Sequence, residues 1–228
     1  MNNIRIITFI SIIILIAILE SVFPQKSRNY SRKFRWLNNF LIVVINRLLT
    51  PLFLLIPIFI IEQPFNGLLE TIELPLIVTF IIGFILLDIV IYFQHRLFHV
   101  VPFFWSLHKM HHTDRDLDFT SALRFHPIEI LISMLIKLIA VWVLGIDVFT
   151  LVIFEISINT FAIFNHGNFR VNSRIEKVLQ RVIITPNLHR IHHSTKLKEC
   201  NSNYGTIFIY WDKLFKSIVR EPKLGHLK

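Results

Sequence analysis

The chain has a single cysteine, so Cys200 cannot close an internal disulfide and the fold is not a disulfide scaffold. Cys200 lies close to the last histidine cluster, but the thiol is read as incidental. Charge is also scarce, at 17% of residues, against 54% hydrophobic residues, 22 phenylalanines and a mean hydropathy of +0.59. This balance excludes an ordinary soluble domain and indicates a membrane protein. The net charge of +9 comes with no nucleic-acid recognition motif, and its distribution follows membrane topology, so no nucleic-acid partner is expected. No internal repeat or low-complexity run is present. No small-residue cleavage site follows Leu19, so residues 4–23 read as a retained anchor and not a signal peptide. The zinc-peptidase motif HExxH is absent, as are the several thiolates that a closed structural zinc site prefers.

What is present is a series of apolar segments separated by loops of contrasting charge. After the anchor comes a basic run with Lys26, Arg28, Arg32, Lys33 and Arg35, which belongs on the cytoplasmic side. Leu41 to Ile61 is long enough to cross but is interrupted by Asn46-Arg47, Pro51 and Pro57. It reads as a kinked span, or as an interfacial helix followed by a short membrane segment. Leu74 to Phe93 is the clearest span, and its one charge is Asp88. Ile128 to Leu144 and Val148 to Phe164 form a hairpin about Gly145-Ile146-Asp147, which returns the chain to the face it left. The histidines before residue 127 and those after 165 therefore share one side, and the basic tail makes that side cytoplasmic. Lys137 and Glu155 within the hairpin read as interhelical partners or snorkelling charges. Ile207 to Phe215 is too short to span and is expected to pack under the site or on the headgroup layer.

That shared side carries most of the 11 histidines. His95 and His99 are spaced i, i+4; His108-x-x-His111-His112 and His189-x-x-His192-His193 repeat an HxxHH pattern. On helices these offsets stack imidazoles on one face, so each cluster can aim several nitrogens at one point. One HxxHH arises by chance in roughly 2 to 3% of chains of this composition, and two arise far less often. Eight histidines exceed the ligand count of one mononuclear centre, so two metals are implied, and imidazole suits iron, zinc, copper and nickel. His126, where the hairpin enters the membrane, and His166, where it leaves, emerge beside the boxes and extend the candidate ligands to ten. The plain alternative for His126 is an interfacial polar residue before a helix-starting proline. Asp88, Tyr92, His95 and His99 form one helical stripe, so Asp88 is a candidate to orient a ligand ring. A nitrogen-only redox metal site at a membrane face suits oxygen activation on a lipid-like substrate. A metal-binding or metal-transport protein without oxygenase activity is the alternative, although a transporter should hold its ligands near the bilayer midplane.

The three boxes are accompanied by Asp88 and Tyr92, Trp105, Thr113-Asp114, Ser121 to Pro127 with Glu129, Asn165-His166, Thr185-Pro186, Asn203-Tyr204-Gly205 and Trp211 to Phe215. With these the chain resembles the membrane fatty acid hydroxylase and sterol desaturase superfamily over roughly residues 75 to 217. The resemblance implies an all-α integral membrane protein with about four to five membrane segments and a cytoplasmic histidine-rich helical cap. Its parts would be residues 1–73, membrane segments and basic loop; 74–217, the histidine-box domain; and 218–228, a tail. It further implies a non-haem di-iron centre, with zinc as a possible substitute in a purified sample, that uses O₂ to hydroxylate or desaturate an unactivated C–H bond of a membrane lipid. The eight box histidines would be ligands, with His126 and His166 as additional ones, and Asp88, Asn165 and Asp212 would orient or support them. The sequence after Phe215 is too short for a fused haem or ferredoxin domain, so electrons are expected from a separate donor protein. The expected location is a bacterial inner membrane. Ether-lipid cleavage and carotenoid ring hydroxylation are other chemistries compatible with the same scaffold.

Overall fold

A computed structural model describes residues 2–53, 66–114 and 116–222. Ten α-helices lie among the described residues: α1 (Asn2–Val22), α2 (Arg32–Phe53), α3 (Leu76–Val100), α4 (Pro102–His112), α5 (Pro127–Leu144), α6 (Val148–His166), α7 (Ser173–Leu179), α8 (Pro186–His192), α9 (Leu197–Cys200) and α10 (Tyr210–Leu214). A 3₁₀ helix covers Phe119–Leu123. The described residues contain no extended sheet, only the isolated bridges Pro24–Phe169 and Ile183–Phe208.

Helices α3, α5 and α6 are long and apolar enough to cross a bilayer, and α1 adds the shorter apolar stretch Ile6–Val22. The protein is therefore an all-helical integral membrane protein. Three spans and one shorter helix account for most of the expected four to five segments. Residues 54–61 of the proposed Leu41 to Ile61 span lie outside the described residues. Asn46 donates to the Phe125 carbonyl at 2.9 Å, near the start of α5, and the amide of Leu68 donates to the carbonyl of Val143 at its far end. The two flanks of that segment thus sit at opposite ends of α5.

The expected hairpin is present, with a turn of defined chemistry. Gly145 caps α5 at φ 66, a left-handed conformation that favours glycine. Asp147 starts α6 by accepting the Thr150 amide at 2.9 Å. Lys137 and Glu155 pair across the hairpin as anticipated. Leu87, Ile146, Phe154 and Ile207 pack into one cluster that joins α3 and the hairpin to the segment before α10.

Helix α2 gives the basic run a structural role as well: Arg35 is 7% exposed and its guanidinium donates to both Asp114 oxygens (2.9 and 2.8 Å) and to Asp118 (2.8 Å). Asn39 and Asn46 continue that polar stripe, which docks on residues 114–125. Leu37, Leu41, Val44 and Leu48 occupy the opposite, exposed face. The helix is amphipathic with its polar side inward. On α1, Glu20 is fully buried and accepts the amides of Phe119 and Asn168, which ties the first helix to both sides of the hairpin.

Candidate metal centre

Local sequence places the histidines. Helix α3 continues beyond the expected Phe93 limit, and its last two turns carry His95 and His99 one turn apart. Pro102 starts α4 after the extended Val101, and the short helix delivers His108, His111 and His112 together. His166 is the last residue of α6. Pro186 starts α8, which brings His189 and His192 to the site, with His193 as its cap.

Among the described residues these side chains form two adjoining groups. His95, His99, His108, His112 and His192 make one; His111, His166, His189 and His193 make the other. Within each group one nitrogen from every ring lies within 4.8 Å of the rest. The groups share a wall, where the rings of His112 and His193 stack with centroids 4.2 Å apart. Nine of the ten expected histidines therefore converge. His126 is not brought in: it is the N-cap of α5, and its Nδ1 accepts the Ile128 amide at 3.2 Å. That use of the ring lone pair fits a polar residue before a helix-starting proline.

The outward nitrogens explain how the rings are aimed. Nδ1 of His95 donates to the Tyr204 carbonyl (2.7 Å), that of His192 to the Ser202 carbonyl (2.7 Å) and that of His166 to the Ala162 carbonyl (2.7 Å). Nδ1 of His108 meets the Glu129 carboxylate at 2.5 Å. A neutral imidazole with its proton on Nδ1 presents a lone pair at Nε2. The Nε2 atoms of His95, His99 and His192 are buried with no protein partner. In the other group the Nε2 atoms of His111, His189 and His193 lie 3.0, 3.1 and 3.1 Å from His166 Nε2. A single lone pair cannot satisfy three neighbours. Burial and the neighbouring imidazoles hold His111, His112, His189, His192 and His193 well below the ordinary histidine range, so these rings are neutral. Buried, converging lone pairs of this kind fit a cation in each group.

The polar residues expected to support the site bond to groups other than the histidine rings. Asp88 orients no histidine; its Oδ2 accepts the Trp211 indole N–H (2.7 Å) and the Phe208 amide (3.4 Å), holding the tail against α3. Asn165 donates to the Thr206 carbonyl at 2.8 Å. Asp212 accepts the amides of Tyr204 (2.9 Å) and Gly205 (2.8 Å) and the Ser217 hydroxyl (2.6 Å). The Tyr204 carbonyl receives His95, so one peptide unit separates that ring from Asp212. Burial outweighs these hydrogen bonds and moves the Asp212 carboxyl above the usual range. Glu129 was not selected from the sequence as a site residue. The available signal was an acid in the first turn of an apolar span, where burial demands a partner. Aromatic rings close the site: Phe125 stacks on His111 at 4.5 Å, and Trp105 packs on His99 at 5.0 Å. Cys200 Sγ lies 3.7 Å from His112 Nδ1.

Comparison with known proteins matches this architecture. The family model described as fatty acid hydroxylase aligns with residues 80–217. An ornithine lipid hydroxylase of Rhizobium tropici is 28% identical over 149 residues, covering 65% of this chain and 44% of the relative. Alkylglycerol monooxygenases of Caenorhabditis elegans (30% over 139 residues) and Homo sapiens (28% over 144 residues) align with 59% and 61% of this chain and with 26% and 30% of their own length. The matched part thus spans less than half of each relative. No solved structure matches. The family model covers every histidine of both groups and more than half of the sequence, and the chain belongs to the fatty acid hydroxylase family.

Proposed function

We propose that the protein is an O₂-dependent oxidoreductase that hydroxylates or desaturates a C–H bond of a membrane lipid at a di-iron centre. The observation that carries this reading is the convergence of nine buried histidines into groups of five and four. Iron held in the two groups would supply reduction of O₂ with two electrons from a separate donor protein, one oxygen entering the lipid and the other leaving as water in the hydroxylation case. The chain's own contribution is ligand geometry and exclusion of water. Carbonyls of Tyr204, Ser202 and Ala162 fix the ring tautomers, and Glu129 increases the donor strength of His108. Asp88, Asn165 and Asp212 are positioning residues, because they secure the 204–212 segment, which presents the Tyr204 carbonyl to His95.

A lipid substrate is supported by the named activities of the relatives and by a site at the ends of membrane-spanning helices. We place the histidine end on the cytoplasmic side of a bacterial inner membrane, in line with the excess of Lys and Arg there and the bacterial relative. Ligands at helix ends also argue against a transporter.

The test is untargeted lipid mass spectrometry of cells that express the wild type or His192→Ala, with iron measured in both purified proteins. A lipid that gains one oxygen or loses two hydrogens only with the wild type is expected. Identical lipid profiles from an iron-loaded wild type with its electron supply intact would remove the oxygenase assignment.

A further inference from the structure

The charges at the histidine-bearing end are sorted by burial. Every acid of the cap among the described residues other than Glu221 is buried, Asp114, Asp116, Glu176 and Glu199 among them. Lys and Arg supply the exposed charge there. The exposed acids Glu70, Glu73 and Asp147 lie at the opposite end of the spans.

The cations are most ordered on α7 and the turn after it. Arg174, Lys177 and Arg181 recur at i, i+3, i+7 and are all exposed. Beside them Ile175, Val178 and Val182 recur with the same spacing and are 57, 58 and 44% exposed. The buried Glu176 points the other way, accepting the Thr185 hydroxyl at 2.8 Å, so the facing of this helix is set by its neighbours. An exposed apolar stripe beside a basic one is the pattern of a helix lying in a membrane interface.

A second, independent contact gives the depth of this surface. The Ile209 amide donates to the Val182 carbonyl at 3.0 Å, and Lys213 Nζ donates to the Arg181 carbonyl at 2.8 Å. The same short segment is held by Asp88 through Trp211. Asp88 lies 12 residues before the end of α3, or about 18 Å back along a helix that exceeds the hydrocarbon thickness by only about 7 Å. The segment bonded to Asp88 is therefore level with the acyl chains of the adjacent leaflet, and its Tyr210 and Leu214 are exposed.

We propose that Arg174, Lys177, Arg181 and Lys213 form a binding surface for anionic phospholipid headgroups, with Ile175, Val178 and Val182 seated among the acyl chains below them. Charge complementarity and continuity with the lipid-facing spans select the leaflet over a soluble protein as the occupant. The surface enriches acidic lipid beside the metal centre. It does not depend on the oxygenase reading, because no metal ligand takes part.

The experiment reconstitutes the full chain in bilayers of phosphatidylcholine and phosphatidylglycerol in which one or the other carries brominated acyl chains. A fluorophore sits on Val178→Cys, and a control on Leu76→Cys at the far end of α3. Quenching at position 178 is expected to report a preference on the order of 10-fold for phosphatidylglycerol. The preference should fall toward unity in 0.5 M salt and when Arg174→Gln, Lys177→Gln and Arg181→Gln are combined, and should be absent at position 76. Equal quenching by both lipids at position 178 in the wild type, or a preference that the triple variant retains, overturns the proposal. Quenching by neither lipid means that the surface faces water, and overturns it too.

Discussion

His108 and Glu129 meet at 2.5 Å, and both side chains are 3% exposed. The pair joins the second histidine box to the first turn of α5, 21 positions later, so the carboxylate fixes both the ring's tautomer and the place where the hairpin begins.

Glu129→Gln keeps an oxygen acceptor but loses the charge. We expect metal affinity to fall about 10- to 100-fold, with the fold intact. Iron retention under chelator challenge is the measurement, and retention equal to the wild type would show that the carboxylate does not tune His108.

His192 and His189 belong to different groups. His192→Ala and His189→Ala should each reduce iron bound per chain by about half, and the double variant should lose nearly all of it. Metal analysis alone checks this, and loss of both ions in each single variant would indicate one indivisible centre.

Arg35→Met leaves Asp114 and Asp118 buried without their cation. Burial alone would raise the Asp114 carboxyl, but the Arg35 guanidinium outweighs it and keeps the group below its ordinary range. Removing one partner of such a network costs about 3–5 kcal/mol. Thermal unfolding in detergent should show a large drop, and Arg35→Lys should restore little of it because a point charge cannot replace the two-pronged contact.

His126→Ala should bind metal as the wild type does and lose about 0.5–2 kcal/mol of stability, most of which His126→Asn restores as an alternative N-cap. Loss of iron in the alanine variant would return His126 to the ligand set.

The parts legible in the sequence were those written in local spacing. The i, i+3 and i+4 offsets of His95–His99, His108–His112 and His189–His193 specify a shared helical face whatever the rest of the chain does, and the spans follow from composition. The carbonyls of Tyr204, Ser202 and Ala162 have no side-chain identity to read, so their role appears only when tertiary packing places them. Arg35 illustrates the other limit. Its meaning depends on Asp114, 79 positions away, whereas the run around it reads only as a cytoplasmic-side signal. Asp88 stands out in the sequence as the one charge of its span, but the expectation that it orients a histidine does not foresee its partner, Trp211.

Each histidine group draws rings from before and after the α5–α6 hairpin. During synthesis, the early boxes leave the ribosome well before His166 and the last box exist. The nascent chain thus holds unmatched imidazoles until the hairpin has been inserted and residues 189–204 have folded back beneath it. The full set of candidate ligands is accordingly available only late in biogenesis, and a chain stalled or cleaved before residue 189 would carry an incomplete set.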